Sequence, residues 1–132
     1  MHGGDDDPIL ASPYWVNIPM KGDCEGRMTD SFCMIMTTTD NEKEADRLSV
    51  LLVERRLAAC VQVMEIQSTY VWQGKVVREP EYLLQIKTRA DLFSEVETVI
   101  IENHSYEVPE IIQVPIMQGS EKYLDWMCEV TG

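Results

Sequence analysis

The most constraining feature of the sequence is a pair of long alternating segments joined by a short turn. Residues 59–72 alternate between two faces with period 2, and residues 76–87 do so again, which predicts two long strands. Gln73-Gly74-Lys75 between them is typical of a hairpin turn. Arms of about a dozen residues approach roughly 40 Å, which exceeds the width of a domain of about 100 residues. The hairpin tip is therefore expected to project into water.

The predicted tip is unusually apolar for a projecting element. Its apolar and aromatic side chains are Ile66, Tyr70, Val71, Trp72, Val76 and Val77. An isolated two-stranded ribbon is marginally stable in water, and a long apolar edge invites pairing with another chain. We therefore expect the hairpin to pack on a neighbouring subunit of an oligomer. The alternative is that the N-terminal residues fold back over it.

The segments around the hairpin complete a β-α-β-β-α-β order. Residues 32–37 form an apolar run typical of a buried strand, and an apolar helical stripe up to residue 56 follows a capping box at Thr39 and Glu42. Thr88 and Asp91 together predict the start of a second helix, which is followed by a strand over 111–117 and a helix over 121–130. This order predicts an α+β, ferredoxin-like antiparallel sheet with helices on one face, a long central hairpin and a short C-terminal helix.

Two prolines fall inside predicted strands. Pro80 interrupts the return strand of the hairpin, which predicts a bulge or an edge position. Pro115 predicts that one side of the last strand is not fully paired.

The first 31 residues differ in composition from the rest. They contain four of the seven glycines, three of the six prolines and the run Asp5-Asp6-Asp7. We therefore expect a partly flexible N-terminal extension over 1–31 and a folded domain over 32–130. The extension lacks the basic and apolar regions of a secretory signal, although apolar residues between 9 and 18 favour docking of part of it.

The charge balance and the cysteines indicate which partners and which cellular compartment the protein can have. With 23 acidic and 11 basic side chains and a formal net charge of −12, binding to nucleic acid is not expected, whereas cations are attracted. No apolar run is long enough to span a membrane, so no membrane partner is expected. Cys24, Cys33, Cys60 and Cys128 form no C-x-x-C pair, and we expect reduced thiols in a cytoplasmic protein.

Several motifs, in order along the chain, resemble those of the CutA divalent-cation tolerance family. Residues 56–60 (RLAAC) and 68–75 (STYVWQGK) are similar to the family patterns R-L-A-A-C and S-x-Y-x-W-x-G-K. Residues 84–88 (LQIKT), 104–111 (HSYEVPEI) and 123–126 (YLDW) resemble x-I-K-T, H-P-Y-E-V-P-E-I and Y-L-x-W. The resemblance covers residues 32–128 and implies a ferredoxin-like homotrimer, similar in architecture to PII-type signalling proteins, with no established catalytic activity.

The resemblance also implies tolerance of divalent cations, copper in particular. His104 is the one histidine of the predicted domain, and we predict a metal set of His104, Cys60 and Glu107, because imidazole, thiolate and carboxylate suit copper or zinc. The alternatives are an imidazole that hydrogen-bonds across a subunit interface and a buried, inert thiol. The resemblance is imperfect at Ser105, where the family loop has proline, and near Met36, where some relatives carry a cysteine. No metal is expected to be required for folding.

A second set of polar and aromatic residues is predicted to line a ligand cleft between subunits. It comprises Tyr70, Trp72, Lys87, Tyr106 and Trp126. The alternative is a subunit interface held by aromatic packing. Nucleophile, phosphate-loop and H-E-x-x-H motifs are absent from the sequence, so we predict that the chain is not an enzyme. The expected function is a trimeric, divalent-metal (copper) tolerance or response protein, and the alternative is a PII-like small-molecule sensor.

Overall fold

The structure, a computed structural model, describes residues 31–132. The predicted N-terminal extension, apart from Ser31, therefore lies outside the described residues. The elements are β1 (Phe32–Thr39), α1 (Glu42–Glu54), β2 (Cys60–Trp72), β3 (Lys75–Arg89), α2 (Phe93–Asn103), β4 (Ile112–Pro115) and α3 (Glu121–Thr131). A single 3-10 turn, Ala90–Leu92, leads into α2. The predicted element order is confirmed.

The four strands form one antiparallel sheet in the order β2-β3-β1-β4. This confirms the predicted α+β, ferredoxin-like class. One sheet face packs against α1 and α2, because alternate residues of β1 and β3 meet the apolar stripes of both helices. The buried residues of this layer include Cys33, Ile35, Leu48, Leu52, Leu84, Ile86, Val96 and Ile100.

The opposite sheet face, which we call the open face, is covered at one end by α3. There Phe32 and Ala59 pack with Met127 and Cys128 of α3 in a second buried cluster. Further along, the strand register places a row of apolar residues on the same face. Its members are half-buried or exposed: Met34, Met36, Met64, Leu83, Ile112 and Val114.

The central hairpin extends well past the rest of the sheet. The pairing of β1 with β3 ends at Tyr82, whereas the pairing of β2 with β3 continues from Ile66 to Trp72. The overhang is about 23 Å long at roughly 3.3 Å per residue. Gln73 and Gly74 form the turn with positive φ angles of 50° and 77°, as a tight two-residue hairpin turn requires.

Pro80 lies in this overhang. The register passes through it without a skipped residue, so the strand has no bulge there. On its other side β3 is unpaired at this point, because β1 pairs with β3 only from Tyr82 onward. Of the two sequence-based alternatives for Pro80, the edge position is correct.

The predicted capping box of α1 is wrong, and of the two residues that predicted the start of α2 only Asp91 lies at the helix entrance, in the 3-10 turn. The N-cap of α1 is Asn41, whose side chain accepts a hydrogen bond from the backbone N–H of Glu44, and Thr39 belongs to β1. Thr88 also lies in a strand, where its hydroxyl donates to the carbonyl of Leu57. The Thr39 hydroxyl still bonds near the helix start, where it accepts the N–H of Asn41 and donates to the carboxylate of Glu44, but it does not cap the helix.

The C-terminal helix is fastened to the end of α1 by Arg56. This residue follows α1 in the left-handed region, at φ 61°, and its Nη2 donates to the carbonyl of Glu129 at 2.9 Å. A cation at a helix C-terminus satisfies carbonyls that lack intrahelical partners. Arg56 thus helps to place α3 against the end of the open face.

The expectation that all four cysteines are reduced is wrong for Cys128, which is disulfide-bonded. Cys33 and Cys60 are free. A disulfide needs two cysteines with close Cα atoms, and a large core does not prevent that. Within residues 31–132, none of the helices has the length and apolar character needed to cross a membrane.

Replacing Leu48 by alanine is expected to lower the free energy of unfolding by about 2–5 kcal/mol, because the side chain is fully buried and its removal leaves a cavity. Val50→Ala on the same helix is the matched control, since Val50 is 55% exposed and its truncation should change stability by at most about 0.5 kcal/mol. Urea unfolding at one fixed protein concentration measures both. Equal losses would contradict the assigned core.

Candidate functional site

His104 lies just after α2, where the backbone leaves the helix in an extended conformation. Its imidazole is fully buried. Nδ1 accepts a hydrogen bond from the backbone N–H of Tyr106 at 3.0 Å, and Nε2 lies 2.7 Å from the carbonyl oxygen of Thr38. A ring nitrogen that accepts an N–H carries no proton, so the pattern assigns the hydrogen to Nε2, which donates to Thr38. Both nitrogens are therefore occupied by backbone groups.

The loop that follows His104 is attached to α1 through the carboxylate of Glu44, which is 5% exposed. One carboxylate oxygen accepts the backbone N–H of Ser105 at 3.0 Å. The other accepts the hydroxyl of Thr39 at 2.5 Å and the hydroxyl of Ser105 at 3.3 Å, and it lies 3.5 Å from Nδ1 of His104. A buried carboxylate is tolerated when several donors satisfy it, and its place in the first turn of α1 adds a favourable helix-dipole interaction.

Tyr106 attaches the same loop to the hairpin. Its hydroxyl donates to the carboxylate of Glu81 at 2.7 Å, and Glu81 is 8% exposed. Burial raises the pKa of Tyr106 strongly, and the hydrogen bond to Glu81 raises it further. Nearby, the exposed Tyr70 hydroxyl donates to Glu79 at 3.0 Å, which raises the pKa of Tyr70. The result is a group of phenols and carboxylates at the base of the overhang, which we call the tyrosine–glutamate group.

A second polar-aromatic group, the lysine–indole group, lies at the end of the open face that α3 covers. Lys87 Nζ lies 5.8 Å from the centroid of the Tyr123 ring, and the rings of Tyr123 and Trp126 are 5.5 Å apart. Cys60 pairs with Lys87 across the strands; burial raises the pKa of the Cys60 thiol, and the charge of Lys87 partly opposes that rise. Within residues 31–132, the buried hydroxyl of Tyr123 has no hydrogen-bond partner.

The described chain does not bring the three predicted metal ligands together. Cys60 pairs with Lys87, which in turn pairs with Met34 of β1. The imidazole of His104 contacts Thr38, four residues further along β1. That is about 13 Å along the strand alone. Across residues 31–132, no three His, Cys, Asp or Glu side chains are grouped as a metal site requires. Glu107 is exposed on the loop. Any site built from all three ligands therefore needs a second subunit or a different loop conformation.

The five residues predicted to line a cleft fall into separate places. Tyr70 and Tyr106 belong to the tyrosine–glutamate group, and Lys87 and Trp126 belong to the lysine–indole group. Trp72 lies at the hairpin tip, 61% exposed. One chain alone thus supplies parts of two surfaces, and a cleft that joins them stays a prediction about the assembled protein.

Sequence reasoning missed Glu44, Glu81 and Tyr123. A signal existed for Glu44, because a glutamate three residues after an asparagine at a helix start is a known capping arrangement. No local signal marks Glu81, whose burial results from contact with a loop that is distant in sequence.

Comparison with known proteins places residues 33–130 within the sequence model of a family described as CutA1 divalent ion tolerance protein. A divalent-cation tolerance protein CutA of Thermus thermophilus is 41% identical over 100 residues, covering 75% of this chain and 97% of that protein. A chloroplastic CutA protein of Arabidopsis thaliana is 39% identical, covering 78% of this chain but 57% of that protein. The solved structure of a periplasmic divalent cation tolerance protein CutA from Archaeoglobus fulgidus has a TM-score of 0.75 at 36% identity, covering 76% of this chain and 99% of that one.

Tyr106→Phe is expected to change how stability depends on pH. The pKa of Tyr106 is raised in the folded state above the unfolded value of about 10, so its contribution is complete below pH ~10 and is lost as pH rises above it. The variant should therefore lose about 1–3 kcal/mol at neutral pH, since Glu81 loses its donor, and should show a shallower alkaline decline.

Urea unfolding between pH 7 and 11 measures this effect, with Tyr70→Phe as the comparison. The phenol of Tyr70 is exposed and bonds to the exposed Glu79, so its removal should change the alkaline decline less than removal of the Tyr106 phenol does. An alkaline decline of wild-type steepness in Tyr106→Phe would contradict the assignment.

Proposed function

The chain belongs to the CutA1 divalent ion tolerance family, and from this membership we propose that it is a non-enzymatic, homotrimeric protein of copper tolerance or response. The observation that carries the proposal is the match of almost the whole described domain, in sequence and in fold, to proteins named for divalent-cation tolerance. The formal net charge of −12 supports it, because the field of an acidic protein concentrates cations at its surface.

The homotrimer is proposed from two apolar surfaces that are exposed in the described domain, residues 31–132. The overhang exposes Val71 at 67% and Val76 at 75%, and the open face exposes Met64 at 44% and Ile112 at 47%. Contiguous exposed apolar surface of this kind marks interaction sites. Packing the overhang of each copy onto the next is a head-to-tail contact, and such contacts form a ring when the rotation between copies closes on itself. The number of three follows from the family resemblance.

Copper binding is proposed for His104, Cys60 and Glu107, with the metal held between subunits. The donor types suit Cu²⁺, and Cys60 is free and only partly buried. Because both ring nitrogens of His104 bond to backbone groups, binding also requires that the loop after α2 move. Metal is not proposed as a requirement for folding, because the described core is built from apolar side chains.

Calorimetric titration with Cu²⁺ tests this site. The background should be His2→Ala, so that His104 is the one histidine left in the chain. His104→Ala, Cys60→Ser and Glu107→Gln are each expected to weaken Cu²⁺ binding at least about tenfold, since each removes a ligand. Glu110→Gln, an exposed acid of the same loop, is the matched control. Affinities of all three variants equal to that of the control would refute the site.

The lysine–indole group favours a second candidate, a PII-like sensor that binds a small molecule between subunits. An ammonium beside two aromatic rings suits a planar anion, because the charge attracts the anion and the rings offer stacking surface. A thermal-shift screen with nucleotides and carboxylate metabolites tests it, since a ligand of the folded state raises Tm. A rise that Lys87→Gln abolishes is expected; no rise with any compound would eliminate this candidate.

The proposed compartment is the cytoplasm, which the free thiols of Cys33 and Cys60 support. The disulfide bond of Cys128 is the opposing observation, because disulfides are rare in the cytosol. Cell fractionation followed by immunoblotting of the full chain tests the proposal. Recovery in the cytoplasmic fraction is expected, and recovery from an organellar, periplasmic or secreted fraction would contradict this location.

A further inference from the structure

The imidazole of His104 is buried beneath the loop that follows it. Its side chain is fully buried, and both ring nitrogens, which are the atoms that could bind a ligand, already form hydrogen bonds. Nδ1 bonds to the N–H of Tyr106, and Nε2 bonds to the carbonyl of Thr38. A metal ion or an electrophile can reach a ring nitrogen only if at least one of these backbone contacts breaks. Access to Nδ1, the nitrogen that carries no proton, requires the loop that contains Tyr106 to shift.

What holds that loop at its start is the contact between Ser105 and Glu44. Two donors from one residue, the backbone N–H and the hydroxyl, bond to the two oxygens of the buried carboxylate at 3.0 and 3.3 Å. Proline, which the resembling family motif has at this position, lacks the N–H and the hydroxyl and cannot make either bond. The contact is therefore a feature that this chain owes to Ser105.

The remainder of the loop contributes little apolar packing. Ser105 and Glu107 are exposed, and Val108 is 86% exposed. In segments with few buried apolar contacts, the free energy of local opening is small compared with the free energy of unfolding the whole domain. Hydrogen bonds to buried carboxylates thus hold the loop on two sides, at Glu44 and at Glu81.

We propose that the Glu44–Ser105 contact is a releasable latch whose closed form is autoinhibitory, because it keeps His104 from ligands until the loop opens. The gating itself needs no metal; its consequence for copper rests on the function proposed above. Both experiments on the latch are done without metal, so they test the gating of His104 alone. Failure of copper binding in the calorimetric titration would remove the proposed metal function and leave the latch unaffected.

The first experiment measures how fast diethyl pyrocarbonate acylates His104 in the full chain, with peptide mass spectrometry to separate His104 from His2. The rate at His2 serves as the internal reference for reagent activity in each sample. Glu44→Gln is expected to speed acylation of His104 roughly tenfold, because charge-assisted hydrogen bonds are about twice as strong as neutral ones.

Asp46→Asn is the matched control. It removes the same charge from the same helix at an exposed position and should leave the rate unchanged. The proposal is overturned if folded Glu44→Gln reacts at the wild-type rate, or if Asp46→Asn accelerates the reaction equally.

The second experiment uses wild-type protein and does not depend on the folding of a variant. Hydrogen exchange is followed at the amides of Ser105 and Tyr106, which donate to Glu44 and His104, and at the buried central-strand residues Ile35 and Ile86. The latch predicts that the two loop amides are protected but exchange at least about tenfold faster than the strand amides. Exchange only together with the strands, or no protection of the loop amides, would overturn the proposal.

Discussion

The structure depends on the unequal lengths of neighbouring strands. β3 has 15 residues and β1 has eight, so β1 can pair with only part of β3. The rest of β3 pairs with β2 alone and forms the overhang. A two-stranded ribbon with an apolar tip is marginal in water, and within residues 31–132 the sheet also leaves one face largely uncovered. The same β2–β3 register thus determines the topology of the described domain and which of its apolar surfaces are exposed.

The register also distributes the polar groups of the open face. The tyrosine–glutamate group lies at the base of the overhang, and the lysine–indole group lies under α3, with methionine and aliphatic side chains between them. The register places Cys60 beside Lys87, whereas His104 is held at the level of Thr38 by the loop after α2. Chemistry that needs both ends of this face must therefore join residues from different copies or move the loop after α2.

Sequence periodicity predicted the elements and their order because period 2 and period 3.6 reflect burial directly. It failed at Thr88, since that hydroxyl bonds to the carbonyl of Leu57, a partner that only the tertiary structure supplies. At the first helix it chose Thr39, whereas the neighbouring Asn41 is the N-cap. The contacts of the candidate site were harder to predict than the elements, because they join residues that are distant in the sequence. His104 was found from its residue type, but the occupation of its two nitrogens depends on Thr38 and Tyr106, and no spacing reveals those contacts.

The central claim is that the overhang and the open face are stable because copies of the chain cover them. Sedimentation equilibrium at micromolar concentration tests this most directly, because it gives the molar mass without assumptions about shape. The account predicts a single species of three times the 15.2 kDa chain mass. A stable, folded species of 15.2 kDa over the whole concentration range would contradict it.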